Sequence, residues 1–330
     1  MDRKQEDMQF LGLFGIFQEA YKIIFSWRKK LFTQITLTLI LPLSFINLAH
    51  TEISKLLFPN INHNQISSDE ATPKYNQLSD FSITFWLFEA AYLTFALIFS
   101  LLSIAAVVYT IACSYTGREV TFEKVMSVVP KIWKRLMLTC LSTFAAVFAY
   151  TIVAVILTLI FIAVVYFFVS TNFVVPVLIV LGILFAAGFV YMVIVLQLAN
   201  VATVLEDAHG FHALSKSKAL IKGKMGLSTI IVLMFNISGW LIQVAFQKHV
   251  VDGGESLGLV NRVAIGIICL LLLLKLNLFG LAIQTVLYLV CKSYHHENID
   301  KSALSDHLEA YPGGYVPLKT KDVQFVEFNV

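Results

Sequence analysis

The sequence predicts an all-α membrane protein with six transmembrane helices. Of its 330 residues, 58% are hydrophobic and 14% are charged, whereas about 25% of the residues in a typical soluble domain are charged. Six apolar runs reach the roughly 20 residues that a helix needs to cross the hydrocarbon core of a bilayer. This composition excludes a soluble enzyme and a disordered chain. The formal net charge of +3 is too small to indicate a nucleic-acid binder.

The lengths of the apolar runs predict helices that extend beyond the hydrocarbon core. The six spans are predicted at about 31–50, 81–115, 136–169, 173–205, 226–247 and 259–291. A helix as long as the third predicted span would measure about 51 Å, whereas the hydrocarbon core is about 30 Å thick. Such a helix must tilt or project at one end. We expect the projection on the side where the basic residues lie.

The distribution of basic residues predicts the orientation. Of the 24 Lys and Arg residues, 19 lie in the N-terminal segment, the loops at about 116–135 and 206–226, and the C-terminal tail. Cytosolic loops carry the excess of Lys and Arg, so both termini are expected in the cytosol. The predicted organisation is a cytosolic amphipathic segment (1–30), a six-span membrane domain (31–291) and a cytosolic tail (292–330).

Three similar segments precede the first, third and fifth spans. They start at Gly15, Gly117 and Gly210, and each combines apolar residues spaced three or four apart with a basic end. This pattern is typical of a helix that lies in the headgroup layer. One interpretation is a threefold repeat of an interfacial elbow helix followed by a helical hairpin. The alternative is that any six-span protein has three basic cytosolic connections.

Ionisable and amide side chains inside the spans form a candidate polar site. Glu89 and Lys275 are the two charged residues well inside the predicted spans, and such residues are functional candidates by default. They could pair directly, or Glu89 could lie at the outer interface while Lys275 bonds to carbonyl groups or Asn277. The amides either join helices by hydrogen bonds or line a substrate path; they are Gln197, Asn200, Asn236, Gln243, Asn277 and Gln284.

Basic residues at the ends of the elbows are candidate contacts for anionic lipid headgroups. They are Arg28, Lys29, Lys30, Lys131, Lys134, Arg135, Lys222 and Lys224. Cys113, Cys140 and Cys291 fall at the cytosolic ends of spans, which makes them palmitoylation candidates. In the tail, Tyr315 and Leu318 fit a tyrosine-based sorting pattern that a sorting adaptor would bind.

Two stretches resemble a known family. Residues 204–224, from Val204 through Gly210 to the Lys222-Gly223-Lys224 end, resemble a broad superfamily of six-span proteins. That superfamily includes the membrane domain fused to some glycerophosphoryl diester phosphodiesterases. The tail from Gly314 to Gln324 is similar to a plant-specific branch of uncharacterised six-span proteins. The phosphodiesterase domain is absent here, so the resemblance implies no catalytic residues.

The functional expectation is a non-enzymatic integral protein of the endoplasmic reticulum, another endomembrane or the plasma membrane. It would bind or organise lipids, or scaffold partners, through its basic cytosolic face. The alternative is a transporter or channel for a small solute or lipid, with a polar path near Lys275. No catalytic residue, cofactor, metal ion or nucleic-acid partner is predicted, because the motifs of common enzyme classes do not occur.

Overall fold

The protein is an integral, multi-pass membrane protein built from α-helices. A computed structural model describes residues 9–27, 29–57, 74–117, 120–168, 174–206, 208–253 and 258–295, and no strand occurs among these residues. Six helices are long and apolar enough to cross a membrane, which confirms the all-α, six-helix part of the prediction. We number them spans 1 to 6: Lys29–Ser54, Ile83–Tyr115, Phe122–Val164, Val175–Leu205, Met225–Val251 and Leu259–Tyr294.

The helices follow one another along the chain with short π-helical segments between some of them. The α-helices are α1 Leu13–Lys22, α2 Lys29–Ile35, α3 Leu41–Leu57, α4 Lys74–Tyr115, α5 Phe122–Phe168, α6 Val174–Leu205, α7 Phe211–Leu220, α8 Met225–Phe246 and α9 Leu259–Tyr294. The π segments are Ile23–Trp27, Thr36–Ile40 and Gln247–Val251. The second π segment precedes Pro42, which has no N–H to donate. There the Leu41 N–H donates to the Thr36 carbonyl five residues back.

The three predicted elbow segments differ in structure. The first is α1 and the third is α7, but the second is not a separate helix, because α5 runs without a break from Phe122 to Phe168. Pro130 lies inside α5 near its start, where the helix continues through it. The third segment is separated from span 5 at Gly223, which has a φ of +93°. A Cβ atom there would lie 2.4 Å from Cε1 of Tyr294, so both the backbone and the space favour glycine.

The largest hydrophobic core joins all six spans at one end of the bundle. It contains the ends of spans 2, 4 and 6, the first turns of spans 1, 3 and 5, and α1. Exposed lysines surround this end: Lys29, Lys30, Lys131, Lys134 and Lys222. We call it the basic end and the opposite end the far end.

At the far end, spans 3 and 4 separate from the other spans. A second core of Leu48, Phe246, Val251, Cys269 and Leu273 joins spans 1, 5 and 6 there. In contrast, none of the residues 143–164 and 175–193 is buried. The two helices of this hairpin touch where Tyr150 donates a hydrogen bond to the Phe185 carbonyl, at 2.8 Å. The exposed apolar side chains of this hairpin suit a hydrocarbon environment.

Candidate functional site

Glu89 pairs with a histidine at the far end. Nε2 of His50, on α3, lies 2.9 Å from Oε1 of Glu89, and the His50 ring stacks on Tyr92 with 3.9 Å between centroids. The Tyr92 hydroxyl donates to Oδ1 of Asn47 at 3.2 Å. Of the two sequence interpretations, the structure therefore gives Glu89 a far-end partner on span 1 and does not bring it to Lys275.

A second ion pair lies at the same end. Nη2 of Arg262, near the start of span 6, is 3.6 Å from Oε1 of Glu52 on α3. The Arg262 Nε atom also donates to the Val250 carbonyl, at 2.9 Å. Glu52 follows His50 by two residues on α3, so the two pairs lie at the same level but on opposite sides of that helix. Together they place four ionisable side chains at the far end.

Lys275 lies on the exposed surface of span 6. Within the described part of the chain, its ammonium group forms no hydrogen bond or ion pair. Lys275 and Asn277 are two residues apart, so they project from the helix about 200° apart. The structure thus separates Lys275 from the amide with which it was expected to share a site.

Asn277 and Gln284 instead line a polar cavity of about 130 Å³ between spans 1, 2 and 6. They are seven residues apart and therefore share a helix face. Nδ2 of Asn277 donates to Oγ of Ser44, which is fully buried, at 3.0 Å. The complete lining is Ile40, Leu43, Ser100, Ser103, Asn277, Leu281 and Gln284. Neutral hydroxyl and amide groups dominate its polar surface.

The sequence interpretation missed the serines of this cavity. A serine inside an apolar span is common, because its hydroxyl can bond to the carbonyl four residues back, as Ser103 does with Phe99 at 2.7 Å. The signal that could have found them is the spacing of Ser100 and Ser103, which share a helix face, together with Pro42 in the neighbouring span. Ile40, at the end of the π segment before Pro42, also lines the cavity.

The other four amides lie elsewhere. Asn236 and Gln243 are exposed on span 5, where the Asn236 amide donates to the Val232 carbonyl at 2.8 Å. Gln197 and Asn200 are half-buried on span 4. The eight predicted polar residues therefore do not form one site. Asn277 and Gln284 line the cavity, and the other six lie elsewhere.

The predicted headgroup contacts are arranged around the basic end. Five are exposed, namely Lys29, Lys30, Lys131, Lys134 and Lys222, and two, Arg135 and Lys224, are half-buried. The Lys224 ammonium lies 5.1 Å from the centroid of the Tyr294 ring, a cation–π distance. Arg28, Tyr315 and Leu318 lie outside the described residues.

The three candidate palmitoylation sites differ in exposure. The Cys113 and Cys291 thiols are buried in the core at the basic end, whereas Cys140 is half-buried. An acyl chain on either buried thiol would displace core side chains. Cys140 is therefore the one that we retain as a candidate.

A half-buried carboxylate ties α7 to span 6 at the basic end. Glu206, just after span 4, contacts the ammonium groups of Lys216 on α7 and Lys292 on α9. Its Oε1 atom also accepts a hydrogen bond of 2.7 Å from the Tyr288 hydroxyl. Burial raises the pKa of Glu206, but the hydrogen bonds from the two lysines and Tyr288 outweigh it, so the pKa of this carboxyl lies below its ordinary value.

The lowered pKa of Glu206 predicts a loss of stability in acid. A carboxyl with a lower pKa in the folded state stabilises the fold above its unfolded pKa, about 4.3, and this contribution is lost as the pH falls through the folded value. When the pH is lowered below this value, we expect the Tm in detergent to fall by more in the unmodified protein than in a Glu206→Gln variant. Thermal unfolding of both proteins across the acid range measures the difference. Parallel Tm curves would contradict this role of Glu206.

A second junction at the same end rests on hydroxyl groups. Oγ1 of Thr139 on span 3 lies 2.9 Å from Oγ1 of Thr203 on span 4, and both residues are fully buried. Thr139 also accepts a hydrogen bond of 3.0 Å from the Gly210 backbone N–H. Gly210 has a φ of +63° and immediately precedes α7. One threonine thus holds spans 3 and 4 and the start of α7 together.

Comparison with known proteins gives a family and no activity. No curated protein matches the chain, and no solved structure matches it. One family model covers residues 1–328, nearly the whole length, so the match includes all six spans and the basic end. The chain belongs to this family, which is described as a domain of unknown function, DUF8558.

Proposed function

We propose that this protein is a non-enzymatic membrane protein that binds anionic lipids at its basic end. The observation that carries the proposal is that the exposed lysines surround the end at which all six spans share a core. Each basic residue near an anionic membrane surface contributes about 1 kcal/mol to its attraction. Scaffolding of protein partners would use the same face.

The charged residue near the start of span 6 supports a proposed position of the hydrocarbon core relative to the basic end. Arg262 and Glu52 suit the far boundary of the hydrocarbon core, because a charged pair is most easily accommodated there. A core of about 30 Å takes about 20 helical residues, so the other boundary falls near Ala282. The rest of span 6 would then project beyond the hydrocarbon, where its polar contacts with Glu206 lie.

The excess of Lys and Arg at the basic end favours a cytosolic position for it, with both termini in the cytosol. In this arrangement α1 and α7 lie near the headgroups, as does the first part of α5. The three segments act as elbows of a threefold repeat, although the second is continuous with its span. The exposed aromatic side chains of Phe10, which precedes α1, and Phe14, in its first turn, support an interfacial position for the first elbow.

Lipid selectivity in reconstituted membranes tests the proposal. Spin-labelled phosphatidylserine and phosphatidylcholine report how strongly each lipid associates with the protein surface in phosphatidylcholine vesicles. We expect the unmodified protein to prefer phosphatidylserine. A Lys131→Gln/Lys134→Gln/Lys222→Gln variant should lose most of that preference, whereas the far-end control Lys248→Gln should keep it. Equal preference in the triple variant and the control would argue against the basic end as the binding surface.

The polar cavity between spans 1, 2 and 6 favours a second function, namely binding or passage of a small uncharged solute. Its volume is well below the roughly 300 Å³ of a typical ligand pocket, so water or a molecule of a few heavy atoms would fit. An Asn277→Leu variant should slow such passage into proteoliposomes, measured as osmotic swelling. An exposed Asn236→Leu substitution serves as the control. Identical swelling in both variants would remove this function.

A further inference from the structure

Lys275 is the last member of an exposed stripe on span 6. Ile268, Leu271 and Leu272 precede it on the same side of the helix, at spacings of three, four and seven residues. Ile267, Ile268, Leu271 and Leu272 each have between 48% and 55% of their surface exposed. A single ammonium group therefore follows an exposed apolar surface.

The depth of Lys275 suits a residue that reaches the headgroups. Measured along the helix from Ala282, at the proposed inner boundary, its Cα lies seven residues, or about 10 Å, inside the hydrocarbon. A long lysine side chain can extend along the apolar surface towards such a boundary. This extension brings its ammonium group closer to the headgroups of the leaflet at the basic end. The apolar stripe runs from there towards the far end, in the direction that the tails of that leaflet take.

Aromatic rings lie one helical turn beyond Lys275, towards the basic end. Phe279 follows Lys275 by four residues, and its ring centroid lies 6.4 Å from that of Tyr21 and 6.0 Å from that of Phe25. Tyr21 is 55% exposed, and tyrosine is enriched at membrane–water interfaces. Lys22, the next residue, is also exposed. The N-terminal segment thus places Tyr21 near Phe279, one helical turn beyond Lys275, and Lys22 follows Tyr21 in α1.

We infer that Lys275 binds the phosphate of an anionic phospholipid from the leaflet at the basic end. Tyr21 and Lys22 form the headgroup side of the site, and the exposed face of Ile267, Ile268, Leu271 and Leu272 receives the acyl chains. This inference rests on the proposed function and gives it a defined site within the spans. It also accounts for a lysine on an apolar surface, where an uncompensated charge is unfavourable.

Native mass spectrometry of the protein from nanodiscs that contain phosphatidylcholine and phosphatidylserine tests the site. The probe is the ratio of the two lipids that remain bound. We expect Lys275→Leu to lower the retained phosphatidylserine about fivefold, the factor that corresponds to about 1 kcal/mol for one basic residue. Lys275→Arg should retain it. The far-end control Lys248→Leu should also retain it, and exposure of Lys275 means that its variants should fold.

The outcomes separate this inference from the proposed function. No preference for phosphatidylserine in the unmodified protein would overturn both. A preference that persists unchanged in Lys275→Leu would leave the basic end as the binding surface and overturn the Lys275 site. An equal loss in Lys275→Leu and Lys248→Leu would also overturn it. A change of oligomeric state in Lys275→Leu without a change in bound lipid would assign the lysine to a contact with another helix.

Discussion

Replacement of Glu206 by glutamine should destabilise the protein by about 3 kcal/mol. The carboxylate is held by two lysines and a tyrosine hydroxyl, with 14% of its side chain exposed. Removal of one partner from a fully buried ion pair typically costs about 3–5 kcal/mol, and the cost is smaller at this half-buried site, where Lys216 keeps 29% of its side chain exposed. The glutamine side chain can still accept a hydrogen bond, so the expected loss of stability lies at the lower limit of that range. Lys216 and Lys292 would then repel each other across the junction between α7 and span 6.

Thermal unfolding in a fixed detergent, followed by circular dichroism, measures this effect. Glu123→Gln is the matched control, because Glu123 is exposed in the first turn of α5 at the same end. A double variant that also replaces Lys216 with methionine should recover part of the lost Tm, since it removes one of the unpaired charges. Equal Tm values for Glu206→Gln and Glu123→Gln would show that the Glu206 carboxylate does not stabilise the basic end.

Replacement of Thr139 by valine should destabilise the junction of spans 3 and 4 by about 1–3 kcal/mol. Valine has nearly the shape of threonine but cannot accept the hydrogen bond of the Gly210 N–H or bond to Thr203. A buried donor that loses its acceptor costs about 1–3 kcal/mol. The junction joins spans 3 and 4 to each other and to the start of α7, so its loss should loosen α7.

The measurement is hydrogen–deuterium exchange of residues 208–220 together with the Tm. Thr33→Val is the control, because the exposed Thr33 hydroxyl bonds, within the described residues, to one carbonyl of its own helix, that of Lys29, at 2.8 Å. We expect faster exchange and a lower Tm for Thr139→Val and little change for Thr33→Val. If Thr139→Val exchanges like the control, the hydroxyl network does not hold α7 in place.

Hydropathy and length were sufficient to predict the six spans. A run of some 20 apolar residues has few alternatives to a membrane helix, and the predicted and observed limits of spans 2, 4, 5 and 6 differ by only a few residues at most ends. Span 3 starts 14 residues earlier than predicted, at Phe122 and not at about 136. The basic residues between these positions suggested a break, but no glycine interrupts the helix there as Gly223 does before span 5.

The arrangement of the polar residues was harder to predict. Hydropathy sets the depth of Glu89 and Lys275 but does not give the rotation of their helices, which packing determines. His50 is 39 residues from Glu89 in sequence, and its pairing depends on the contact of α3 with span 2. Likewise, only the packing of spans 1, 2 and 6 turns two serines and two amides into one cavity. The resemblance to the phosphodiesterase membrane domain, the cytosolic side of the termini and the sorting motif stay predictions.

The lipids that accompany the protein out of its own membrane test the central claim most directly. The unmodified chain would be extracted in native-lipid nanodiscs, and its bound lipids would be compared with those of the bulk membrane by mass spectrometry. Lipid attraction to the exposed lysines of the basic end predicts enrichment of anionic phospholipids over phosphatidylcholine. A lipid profile identical to that of the bulk membrane would contradict lipid binding as the function of this end.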